Sequence, residues 1–185
     1  SIAGSFDEAE LFALIEREFS GIPAGAAPHD ATPVRYGSGI ELIDRDIAQH
    51  HLCFGFPAPN ATDDRRYVYN MLSSVLGGGS TSRLFDSIRE EAGLAYSIYS
   101  FHSSYQAAGV LGVYAAVAPE NLDQTIELSM AEIKKVCNEP VPDDEVALNR
   151  EQLKGGLLMS LESTYSRMSR MAKSMIYFGR VVPVD

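Results

Sequence analysis

Four histidines, two cysteines and 25 acidic residues in a chain of 185 could supply a metal or acid–base site, but their spacing does not assemble one. Neither His-Glu-x-x-His nor His-x-x-Glu-His occurs, and Cys53 and Cys137 stand alone with no Cys-x-x-Cys. His50 and His51 are adjacent, so on a strand they point to opposite faces. They read as separate core and edge residues, and no metal site is expected in this chain. There is no Gly-x-Ser-x-Gly elbow, and neither cysteine sits at a helix N-terminus among basic residues that would lower its pKa. Both cysteines read as inert packing residues.

The run Gly77-Gly78-Gly79-Ser80-Thr81-Ser82-Arg83 leads into a helix start, where backbone N–H groups can cradle an anion. A phosphate loop requires Gly-x-x-x-x-Gly-Lys-Ser/Thr after a strand; this run follows a helix and has no lysine. Two readings stand: a helix-to-helix turn, or a mobile backbone surface at Gly77, Gly78, Gly79 and Ser80 that handles an extended chain. Arg89 and Tyr96, seven residues apart, are the remaining polar candidates. Taken alone, Arg89 on a helix flank is a solvated charge or an ion-pair partner, and Tyr96 at the head of a strand is an interface-facing aromatic.

Composition narrows the function classes. Hydrophobic residues make up 45% and charged residues 22%, which fits a globular domain and excludes disordered and disulfide-scaffold classes. The net charge of −10 repels phosphate backbones, so no nucleic-acid partner is expected. No apolar run approaches ~18 residues, so no membrane partner is expected. The first residues show no secretory leader, and two isolated cysteines fit a reducing compartment. The expected location is cytoplasmic.

The elements that must position these residues follow from periodicity. Leu11, Phe12, Ile15 and Phe19 mark a helix over about 7–19, with Ser5 and Glu8 as its capping box. Residues 21–37, rich in Gly, Ala and Pro, read as a linker. Strands are expected at 40–47 and 49–56, the second with His50, Leu52, Phe54 and Phe56 on one face and His51, Cys53 and Gly55 on the other. A helix over 62–76, capped by Thr62, buries Val68, Met71, Leu72, Val75 and Leu76. A second helix capped by Ser80 or Ser82 carries Leu84, Phe85 and Ile88, with Gly93 as its C′ residue. Strands at 95–104 and 109–117 form a hairpin. Three helices finish the chain, near 119–137, 142–161 and 163–178. The second and third carry Val146, Leu153, Leu157 and Leu161, and Met168, Met171, Ala172 and Met175, and Gly179 ends the third. The first buries Leu122, Ile126, Met130, Ile133 and Cys137. This order specifies an α+β two-layer domain, a mainly antiparallel sheet covered by helices on one face.

The segment Leu76-Gly-Gly-Gly-Ser-Thr-Ser-Arg-Leu-Phe85, followed by Ile88-Arg-Glu-Glu-Ala-Gly-Leu-Ala-Tyr-Ser-Ile-Tyr-Ser-Phe101, closely resembles the C-terminal half of the pitrilysin-type (M16) zinc metallopeptidases. In particular it resembles compact bacterial relatives of the mitochondrial processing peptidase. His51-Leu-Cys-Phe-Gly-Phe-Pro57, Gln152-Leu-Lys-Gly-Gly-Leu157 and Ser166-Arg-Met-Ser-Arg170 extend the resemblance over nearly the whole chain. It implies the LuxS/MPP-like metallohydrolase fold and a clamshell of two halves around a peptide-binding chamber. The zinc of the full-length protein would lie in an N-terminal half outside this chain. Residues 1–20 would then be the end of the preceding strand–helix unit, 21–37 the linker, and 38–185 the substrate-clamping domain, cut short at its C-terminus. The resemblance gives Arg89 and Tyr96 a catalytic role at the scissile carbonyl and assigns Gly77, Gly78, Gly79 and Ser80 to substrate binding. The implied partners are a peptide or unfolded polypeptide substrate, which the acidic surface would suit if basic or extended, the N-terminal half, and a homo- or heterodimer partner. The alternatives are a non-catalytic family member that scaffolds or presents substrate to an active partner, and an anion-binding module built on the glycine loop.

Overall fold

The computed structural model describes residues 1–23, 25 and 34–184. It divides into two bodies, residues 1–32 with 158–185 and residues 33–157. Most of the expected linker, residues 24 and 26–33, lies outside the described residues.

In the first body, α1 (Glu8–Phe19) starts at Asp7, whose carboxylate accepts from the Glu10 N–H at 3.0 Å. The expected Ser5–Glu8 capping box does not form, because Glu8 is already the first helical residue and the nearer Asp7 takes the cap. In α5 (Thr164–Phe178), Ser163 accepts from the Ser166 N–H and Gly179, at φ 66°, closes the helix as its spacing predicts. A groove beside α5 is lined by Phe6, Met171, Val181 and Val184 together with Arg167 and Arg170. The two guanidinium groups are committed to the carbonyls of Leu161 and Pro183.

The second body is built on an antiparallel sheet of order β1-β3-β2, with β1 His50–Ala58, β2 Ala95–Ser104 and β3 Gly109–Val117. The β2–β3 hairpin has the expected bounds. Its registers place Leu52, Ala115 and Ile98 in one cross-strand row and Phe54, Val113 and Ser100 in the next. This is the core face. Leu76 from α2 (Arg66–Gly77), Leu84 and Ile88 pack onto it, and Leu122, Leu128, Ile133 and Val136 of α3 (Leu122–Asn138) lean against the same cluster. The α+β architecture with helices on one sheet face is thus the observed one.

Five local expectations are corrected. The strand expected at 40–47 does not form: residues 34–47 are irregular, and Ile40 and Leu42 are 93% and 90% exposed. A strand exists only through pairing, and the segment is tied to the sheet elsewhere, by the Tyr36 hydroxyl donating to the Gly109 carbonyl at 2.8 Å. Helix α2 begins at Arg66 rather than Thr62, because Asn60 Oδ1 accepts from the N–H groups of both Thr62 and Asp63 and holds them in a turn. Val68, expected in the core, is 65% exposed. Along α3 the buried face is Thr125, Ser129 and Glu132 rather than Met130 and Cys137. Cys53 and Cys137 are both exposed, one on the sheet face opposite the core and one on the outer side of α3, so neither is a packing residue.

Helix α4 (Asp143–Ser160) buries Asn149, which accepts from the Ser74 hydroxyl at 2.7 Å and donates to the Glu145 carbonyl. Arg83 makes a bidentate pair with Glu145, at 2.9 and 2.7 Å. That contact holds the Arg83 guanidinium above its ordinary pKa and fastens the glycine-run segment to α4.

Candidate functional site

Tyr96 owes its position to an irregularity in β2. Ala95 pairs with Val117, but Ser97 rather than Tyr96 pairs with Ala116. Two residues therefore stand between the core residues Ala95 and Ile98, where strict alternation allows one. This β-bulge turns both Tyr96 and Ser97 away from the core, a device often found where a side chain must be re-aimed. Tyr96 is 78% exposed.

Arg89 comes from the other side of the same turn. Residues Phe85–Glu91 form a π-helical stretch rather than the expected α-helix, with the Ala92 N–H reaching back five residues to the Ser87 carbonyl. The wider turn keeps residues four apart on one side. The Arg89 guanidinium carbon lies 4.7 Å from the Phe85 ring centre and 5.3 Å from that of Tyr96, within cation–π range of both. The turn is anchored in the core: Leu84 and Ile88 are fully buried, and the Leu94 N–H caps the Ile88 carbonyl at 2.9 Å. Gly93, at φ 63°, makes that reversal as its spacing predicts. The structure thus brings the two sequence-predicted catalytic residues together as a stacked pair.

The predicted substrate-binding glycines divide. Gly77 is buried at the end of α2, where a Cβ would collide with the Ser100 backbone nitrogen. Across this contact the Ser100 hydroxyl donates to the Ser73 carbonyl. Gly78 is the C-cap residue of α2. Gly79 and Ser80 are exposed, with open space around Gly79. The serines expected to cap a helix do not; the Ser82 hydroxyl donates to the Gly79 carbonyl instead.

Tyr99, Phe101 and Tyr114 were not singled out by the sequence, yet they share the open sheet face with His51. Tyr99 and Tyr114 are cross-strand partners with ring centres 5.0 Å apart, and the Tyr114 hydroxyl lies 2.6 Å from His51 Nδ1. The sequence signal for this face is that no Asp, Glu, Lys or Arg occurs in any of the three strands.

No group of three or more His, Cys, Asp or Glu among the described residues could hold a metal ion. His102 bonds Asn70 Oδ1 and Ser104 Oγ. No helix among the described residues is long and apolar enough to cross a membrane.

A family model described as "Peptidase M16 inactive domain" matches residues 1–153. An uncharacterized zinc protease of Streptomyces coelicolor is 38% identical over 152 residues, covering 82% of this chain and 33% of that protein. One of Bacillus subtilis is 40% identical over 141 residues, covering 76% and 34%. Among solved structures, a chain of complex III2 from Candida albicans superposes with a TM-score of 0.83 at 20% identity, covering 98% of this chain and 45% of that one. A peptidase M16 inactive domain from Pseudomonas fluorescens gives 0.75 at 19% identity, covering 93% and 42%. The chain spans about a third of the length of those two curated relatives. It belongs to the peptidase M16 family and carries the inactive domain of that family.

Proposed function

We propose that this chain is the substrate-clamping part of a zinc-dependent endopeptidase, with Arg89 and Tyr96 as the groups that meet the scissile peptide. The zinc named in the relatives finds no fit among the described residues here, so the metal and its chemistry belong to the remainder of the full-length protein. Residues of this chain bind and orient.

The observation that carries the reading is the stacked pair itself. The Phe85 and Tyr96 rings both lie within cation–π range of the Arg89 guanidinium, and such contacts with ring faces leave its N–H groups able to donate to a ligand. An arginine held this way has lost part of its rotamer freedom before substrate arrives. Negative charge that develops on a carbonyl oxygen during peptide hydrolysis would accept from that fork and from the exposed Tyr96 hydroxyl. Gly79 and Ser80 offer open backbone for contacts with an extended chain. The test is steady-state kinetics of the full-length protein with Arg89→Lys and Tyr96→Phe. Unchanged turnover in both variants would leave the non-catalytic, substrate-presenting role in its place.

A further inference from the structure

We propose that the outer edge of β1 binds an extended peptide as an added strand, and that the residue this peptide sets opposite Gly55 is large and apolar. The inference rests on the peptide-clamping reading and names the kind of peptide it would take.

Among the described residues β1 pairs only with β3, so its other edge presents unpaired N–H and C=O groups, the usual acceptor for strand addition. The row that crosses the sheet at this point runs Phe101, Gly112, Gly55. Phe101 lies over Gly112 so closely that a Cβ there would collide with its ring. An aromatic side chain covering its cross-strand glycine is a recognised stabilising pair. Gly55 repeats the arrangement one strand further out without a cover: it is exposed, and a Cβ on it would meet only Val110 Cγ1, at 4.0 Å. An added strand would place one residue beside this hollow, in reach of the Tyr114 and Phe101 rings.

The chain itself shows what fits. Residues 48 and 49 are bends immediately before β1. If they act as a two-residue hairpin loop, Ile47 opposes His50, and counting back in step sets Leu42 opposite Gly55 and Gly39 opposite Ala58. The Tyr36 hydroxyl, 3.3 Å from the Ala58 carbonyl, already holds the segment at that end. Yet Leu42 is exposed and unpaired. A tethered segment with a large apolar residue in this register, standing off the edge, is a competitor that an incoming peptide resembles. The absence of any charged residue from the three strands weighs against a basic or acidic side chain here, since none of them would balance its desolvation.

The experiment uses this chain and four blocked, labelled heptapeptides of alternating Thr and Ser that differ only in a central Phe, Gly, Lys or Glu. Fluorescence anisotropy should rank Phe above Gly, Lys and Glu by about threefold to fivefold, the scale of one cross-strand pair. Hydrogen exchange should show the outward-facing β1 amides, those not paired with β3, gaining protection when the Phe peptide is bound. Gly55→Lys, which the open backbone accommodates, should reverse the order of Phe and Glu. Equal binding of all four peptides, or a best ligand with central Lys, overturns the proposal. So does protection of residues 40–47 in the free chain without peptide binding, which would make the segment a fixed fourth strand. Concentration-dependent dimerisation that protects β1 overturns it in favour of a second copy. None of these readouts involves turnover, so failure here leaves the roles of Arg89 and Tyr96 standing, and their failure leaves this result standing.

Discussion

The Arg89 guanidinium carbon stands 5.3 Å from the centre of the Tyr96 ring, although one residue leaves a π-helical turn and the other enters a strand. Two departures from regular geometry produce that contact, the widened turn at 85–91 and the bulge at Ala95/Ser97. Between them, Gly93 reverses the chain at positive φ.

Gly93→Ala should therefore cost about 1 kcal/mol, the penalty of a Cβ in the left-handed region, although a methyl there has open space. Urea unfolding of the variant measures it. A change near zero would mean that the turn relaxes, and the Arg89–Tyr96 stack with it.

Gly77 and Gly79 are neighbours in one run but should respond oppositely. Gly77→Ala drives a methyl into the Ser100 backbone and should destabilise by roughly 1–3 kcal/mol, or more if α2 cannot shift. Gly79→Ala meets nothing within 4 Å and should be neutral or slightly stabilising, through the unfolded chain. Paired melting curves separate the two.

His102 should make stability pH-dependent. Burial pushes its pKa below the ordinary 6.5, opposed in part by a hydrogen bond involving Pro59. The folded state thus takes up this proton less readily than the unfolded state. The group's contribution is intact above 6.5 and is lost as pH falls through the depressed folded value. Between about pH 7 and 5 the natural chain should lose more stability than His102→Gln; parallel losses would show that His102 is not the titrating group.

The chain purified alone should hold no stoichiometric zinc, since the described residues offer no ligand cluster. Elemental analysis that finds one tightly held zinc per chain contradicts the assignment of the metal to the rest of the protein.

What could be read from the residues was the regular part of the fold. The β2–β3 hairpin, the face alternation of β1, and the closures at Gly93 and Gly179 follow from period-two patterning and glycine placement, and they fall where expected. Cap competition was not legible, because Asp7 and Asn60 outbid nearby Ser5 and Thr62 only through geometry. The segment expected as a strand at 40–47 stays irregular and exposed although the outer edge of β1 is open, which a local pattern cannot reveal. For the candidate site, the resemblance singled out Arg89 and Tyr96, while the bulge and π turn that make them neighbours leave no mark in hydrophobic periodicity.

Tyr96→Phe in the full-length protein tests the central claim most directly. The substitution keeps the ring on which Arg89 stacks and removes one hydroxyl from a side chain that is already largely exposed, so the melting temperature should hold. Loss of a hydrogen bond to the developing oxyanion should lower kcat by about 10²–10³ with little change in KM. A kcat equal to that of the natural protein, with or without a raised KM, would contradict a transition-state role for Tyr96.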